Sequence, residues 1–104
     1  MKNPLRGEIW LVDLGMVAKT RPCLVLSVPL LDEDRALVGI VPHTTQPRSN
    51  RFEVNVAKRF LKPGVFDVQG LQPVPLAKFE RQLGNLATAE MQAVEDTVRL
   101  WLNL

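Results

Sequence analysis

The chain has 104 residues, 46% of them hydrophobic, enough for one compact core and too few for two independent domains, so a single domain over residues 1–104 is expected. Its 13 Lys and Arg against 11 Asp and Glu leave a net charge of only +2, so total charge does not point to a polyanion, and one Cys with one His excludes an internal disulfide and argues against a soft-ligand metal site. The longest uncharged stretches, residues 22–31 and 36–46, fall short of the roughly 20 apolar residues a spanning helix needs, and residues 1–4 form no signal region; no membrane segment and a cytoplasmic location are expected.

Residues 8–14 alternate, with Ile9, Leu11 and Asp13 on one face and Trp10, Val12 and Leu14 on the other, which predicts a strand. A short connection over residues 14–20 leads to a second strand, residues 22–28, apolar on both faces as in a barrel or sandwich. A polar turn follows at 30–35, then a third strand over 36–41, a fourth over 52–56 and a fifth over 64–68. Residues 70–76 supply an edge piece at most, because Pro73 and Pro75 cannot donate to a central ladder.

The period then changes. Thr88 is placed as an N-cap with Glu90 in the first turn, and Met91, Val94, Val98 and Trp101 recur at spacings of three and four, predicting an amphipathic helix of about three to four turns. Short strands, tight connections and one terminal helix imply a mostly β fold, a small SH3-like antiparallel barrel closed off by the helix.

Charge is unevenly distributed. From Thr44 to Lys62 the chain carries Arg48, Arg51, Lys58, Arg59 and Lys62 against Glu53 alone, whereas Glu90, Glu95 and Asp96 accompany Arg99 near the C-terminus. Basic groups beside Thr44 would supply a local positive field for a phosphate backbone. Arg21-Pro22 opens one apolar run and Val41-Pro42-His43-Thr44-Thr45 closes another, so a small barrel could bring Arg21 and Thr44 together. A guanidinium fork beside a hydroxyl suits a phosphodiester.

Other residues read more plainly. Cys23 lies inside an apolar run and is expected to be buried and inert. His43 is the sole group titrating near neutrality, but alternation turns it away from the Thr44 side chain, which favours a structural role. Trp10 and Trp101 are expected in the core rather than as stacking platforms for bases.

Three blocks in order carry a resemblance. Gly7-Glu8-Ile9-Trp10-Leu11-Val12-Asp13, Arg21-Pro22 with its following strand, and Val41-Pro42-His43-Thr44-Thr45-Gln46 resemble the MazF/PemK toxins of bacterial toxin–antitoxin systems, as does Leu83-Gly84-Asn85-Leu86 before a helix. The similarity spans nearly the whole chain. It implies a homodimeric endoribonuclease that cuts single-stranded RNA at short motifs with no metal or other cofactor, and whose groove an acidic antitoxin segment covers. The catalytic pair would fall on Arg21 and Thr44, with Lys19, Thr20, Thr45, Gln46, Arg48, Arg51 and Gln69 along the RNA groove.

Two departures accompany the resemblance. Family members usually carry a longer loop before Arg-Pro, with a glycine and an acidic residue, whereas only residues 15–20 intervene here and none is a carboxylate; altered substrate specificity is the expected consequence. Gln69-Gly70 replaces the usual acidic residue and glutamine, although Gln69 can still reach a base edge. Two alternatives share the barrel: a CcdB-like gyrase poison, acting through Trp101-Leu102-Asn103-Leu104, and a catalytically degenerate barrel that only binds RNA or an antitoxin.

Overall fold

A computed structural model describes residues 3–15, 17 and 19–104; Met1 and Lys2 of the N-terminus, and Met16 and Ala18 of the expected 14–20 connection, lie outside the described residues. The strands are β1 (Glu8–Asp13), β2 (Thr20–Val25), β3 (Leu37–Thr44), β4 (Glu53–Val54), β5 (Val65–Asp67), β6 (Gln72–Pro75) and β7 (Phe79–Asn85), followed by the helix α1 (Thr88–Leu102). They pair antiparallel in the order β4-β5-β3-β2-β1-β7, with β6 joined to β3. Among the described residues the path is not closed by hydrogen bonds. The expected SH3-like barrel is thus an open, barrel-like sheet with a C-terminal helix.

Strand β3 organises the sheet. Its first half, Leu37 to Ile40, pairs with β6, while His43 and Thr44 pair with Phe66 and Val65 of β5. This second partner explains why β3 continues past Val41, where the apolar run ends, to Thr44. Strand β2 likewise starts earlier than its apolar run, at Thr20, because β1 extends the ladder through Val12↔Arg21 and Asp13↔Thr20.

The alternation of β1 to β3 sorts side chains into two cores. Ile9, Leu24 and Val41 pack with Phe66, Val68 and the helix residues Val94 and Val98, while Trp10, Val12, Cys23, Val25 and Ile40 pack with Val74 and Phe79. Each buried aliphatic contributes on the order of 1.5–3 kcal/mol. Trp10 is buried edge-on against Phe79 with centroids 6.0 Å apart, and its Nε1 donates to Glu8 Oε1 at 3.0 Å. Trp101 packs half-buried against the first core beside Phe52. Both tryptophans therefore serve packing.

The structure adds one strand and moves one expected cap. Strand β7, Phe-Glu-Arg-Gln-Leu-Gly-Asn, was not apparent as a strand, because it is a charged, mostly exposed edge whose pairing with β1 is broken by two register shifts. At the helix start Ala87 occupies the cap position and Thr88 the first helical one; the Ala87 N–H donates instead to the Glu90 carboxylate at 2.7 Å. Lys58 also binds that carboxylate, at 2.7 Å, which ties the 55–63 connection to the helix and holds the Glu90 carboxyl below its ordinary pKa, the Lys58 hydrogen bond contributing most.

Candidate active site

The start of β2 and the end of β3 lie at the same end of the sheet. Their register pairs Cys23 with Pro42, Leu24 with Val41 and Val25 with Ile40. Arg21 and Thr44 each lie two residues beyond the Cys23–Pro42 pair, at the end where the ladder stops. Both are half-buried, and both line a cleft of about 510 Å³.

The loop around Thr44 is held from several sides. Thr44 Oγ1 accepts from the Gln46 N–H at 3.1 Å, a local turn that fixes the hydroxyl while leaving its own proton to donate elsewhere. A Cβ on Gly64 would overlap the Thr44 carbonyl and lie 2.8 Å from His43 Cε1, so only glycine lets the 62–64 turn press this closely on Thr44. Beyond it, the Glu53 carboxylate accepts the N–H groups of Arg48, Ser49 and Asn50 at 2.8, 2.7 and 3.2 Å. That grip stabilises the left-handed backbone of Ser49, φ 61°, and sets where Arg48 leaves the chain. Hydrogen bonding led by the Arg48 N–H lowers the Glu53 pKa.

A second cleft, about 500 Å³, opens on the other side of Arg21. Lys19, Thr20, Thr45, Lys62, Phe60 and Arg81 contribute to it, and Arg21 and His43 line both clefts. Thr20 Oγ1 donates to Glu80 Oε2 at 3.3 Å at its margin. Three further cations, Lys19, Lys62 and Arg81, thus share this cleft with Arg21.

A family model described as PemK-like, MazF-like toxin of type II toxin-antitoxin system matches residues 5–102 of this chain. The chain belongs to the PemK/MazF toxin family. Solved structures agree on the fold. A mycobacterial endoribonuclease in complex with its cognate antitoxin superposes with a TM-score of 0.82 at 24% identity, covering 97% of this chain and 96% of that one. MazE-MazF from Deinococcus radiodurans gives 0.83 at 20% identity, covering 100% and 99%. The Mycobacterium tuberculosis toxin MazF-mt6 gives 0.79 at 25% identity, covering 93% and 97%.

In this PemK/MazF chain, Gln46, Arg48 and Gln69 line the first cleft with Arg21 and Thr44. Lys19, Thr20 and Thr45 line the second. Arg51 lines neither: its guanidinium sits 4.6 Å over the Phe52 ring. Of the basic segment, then, Arg48 and Lys62 reach the clefts, while Arg51 and Lys58 are engaged in packing and in an ion pair.

His43 is 3% exposed and lies edge-on to Phe66, centroids 5.1 Å apart, and its Nε2 has no hydrogen-bond partner among the described residues. Burial lowers its pKa below 6.5, so the toxin keeps it neutral at neutral pH. Cys23 is fully buried, and burial pushes its thiol up to about 12 against the opposing pull of the Arg21 charge.

Several cleft residues escape sequence reasoning. Asn50, Asp67 and Gln72 line the first cleft, and Arg81 the second. Asp67 left a local signal, since an Asp two residues before Gln69 can accept its N–H, as it does at 3.1 Å. Among the described residues no group of three or more His, Cys, Asp or Glu is placed to hold a metal ion, and no helix is long and apolar enough to cross a membrane.

Proposed function

We propose that this toxin is an endoribonuclease that cuts single-stranded RNA at short sequence motifs, and the observation carrying this reading is the shared cleft of Arg21 and Thr44. Similarity to structures named endoribonucleases supports it. In the proposed reaction a ribose 2′-hydroxyl gives up its proton to water as its oxygen attacks the adjacent phosphorus, while the bond to the 5′-oxygen breaks. The products are a cyclic phosphate and a 5′-hydroxyl. Arg21 neutralises the charge that grows on the phosphorane and supplies a proton to the leaving 5′-oxygen. Thr44, one of its lone pairs occupied by the Gln46 N–H, donates its hydroxyl proton to a phosphate oxygen and helps hold the group in line.

The remaining cations bind backbone. Arg48 serves the first cleft, and Lys19, Lys62 and Arg81 the second. The chain works as one toxin domain in the cytoplasm, as a homodimer, without a metal, and an antitoxin covers its clefts. Relatives solved as complexes with MazE or with a cognate antitoxin support a protein antagonist.

A short RNA carrying one 2′-deoxy nucleotide on the 5′ side of the cut tests the chemistry. That RNA should resist cleavage where its all-ribose counterpart yields a cyclic phosphate by mass. Equal cleavage of both would rule out the 2′-oxygen as nucleophile.

A further inference from the structure

A carboxylate in a cleft that holds phosphates needs a reason, because it repels them. Glu53 has one, spent on the three N–H groups of the 48–50 loop. Asp67 is only partly spent in this way: Oδ1 accepts the Gln69 N–H that opens the 68–70 turn, while no partner engages Oδ2 among the described residues. Its neighbour is of the same character. Gln72 donates Nε2 to the Gly70 carbonyl at 3.1 Å, which orients the amide and leaves Oε1 as its outward acceptor.

The pair is also held rigidly. Gly70 lies so close to the Pro42 ring of β3 that a Cβ there would come within 2.7 Å of Pro42 Cγ. This contact pins the turn at Val68–Gly70, and with it Asp67 and Gln72 on either side, against the strand that ends in Thr44. Two fixed acceptors beside the proposed scissile phosphate complement a donor. Cytosine, adenine and guanine each offer an exocyclic amino group; uracil offers two carbonyls flanking one N–H.

We infer that Asp67, supported by Gln72, is a specificity-determining residue that selects a base bearing an exocyclic amino group over uracil at one position of the bound strand. The inference rests on the reading of this cleft as a nucleic-acid site. Asp67 reads the base, and Arg21 and Arg48 hold the backbone.

The test is binding of the wild-type protein, by fluorescence anisotropy, to short single-stranded 2′-deoxy oligonucleotides, which lack the attacking hydroxyl and stay intact. Each position is set in turn to C, A, G or U. At one position uracil should weaken binding about tenfold or more relative to an amino-bearing base. Asp67→Asn keeps the acceptor for the Gln69 N–H but turns the outward atom into a donor, and should abolish or reverse that preference. Gln72→Met leaves the Asp67 turn intact and should narrow it. Equal affinity for all four bases everywhere, no binding at all, or a uracil penalty unchanged in both variants would overturn the assignment. Because the probe cannot be cut, a base preference without RNA cleavage would refute only the nuclease reading, and RNA cleavage without the preference only this one.

Discussion

Glu53 and Asp67 stand directly opposite each other in the β4–β5 register, two carboxylates where like charges would destabilise a sheet. Each is turned into its own loop, Glu53 toward the 48–50 amides and Asp67 toward the Gln69 amide, so backbone donors disperse both charges. The pair thereby shapes two walls of one cleft.

Glu53 makes the stability of this region depend on pH. Its folded pKa lies below its ordinary value, so its stabilisation is present above the unfolded pKa of about 4.5 and is lost as pH falls through the folded one. Glu90, lowered chiefly by Lys58, acts in the same direction. Thermal unfolding from pH 6 down to pH 3 should show a falling midpoint, with a shallower fall for Glu53→Gln. The same slope in both proteins would remove Glu53 from this role.

Gly64→Ala drives a methyl into the Thr44 carbonyl and toward the His43 ring. Overpacking of this kind costs about 1–3 kcal/mol. Denaturant melts should register that loss, and RNA cleavage at a temperature where the variant is folded should fall further than stability accounts for, since Thr44 is displaced. Wild-type cleavage and stability would mean the 62–64 turn yields freely.

Much of this was legible in the chain. Ile9, Trp10, Leu24 and Val41 announced their strands because two-faced burial requires apolar residues at successive positions, and Val94 and Val98 announced the helix face. Strand β7 was not, since an edge strand with Glu80, Arg81 and Gln82 facing solvent is defined by its partner rather than by its own pattern. Arg21 and Thr44 were legible as strand-end residues. Asp67, Gln72 and Arg81 were not, because only the pairing of β5 and β6 with β3, and of β7 with β1, carries them to the clefts. Arg51 shows the converse: a cation in a basic segment whose place is set by the neighbouring Phe52 ring.

Arg21→Lys keeps a positive charge but replaces the planar fork with a single ammonium. Cleavage should drop on the order of a hundredfold or more, the scale of losing one donor to a developing oxyanion. Single-turnover rates at saturating enzyme would show it; a rate near wild type would mean that charge alone suffices.

Cys23 is expected to be chemically silent. With the thiol buried and its pKa near 12, a thiol reagent at pH 7.5 should label the folded protein only at the rate of global unfolding, and immediately in denaturant. Rapid labelling of the native protein would place the thiol in contact with solvent.

The central claim is that Arg21 and Thr44 form a ribonuclease site. Its most direct measurement is incubation of wild-type protein, Arg21→Ala and Thr44→Ala with one long single-stranded RNA in EDTA, mapping every new 5′ end. Discrete wild-type cuts bearing 5′-hydroxyls, missing from both variant lanes, are the expected result. Intact RNA in all three lanes, or the same cuts in all three, would contradict it.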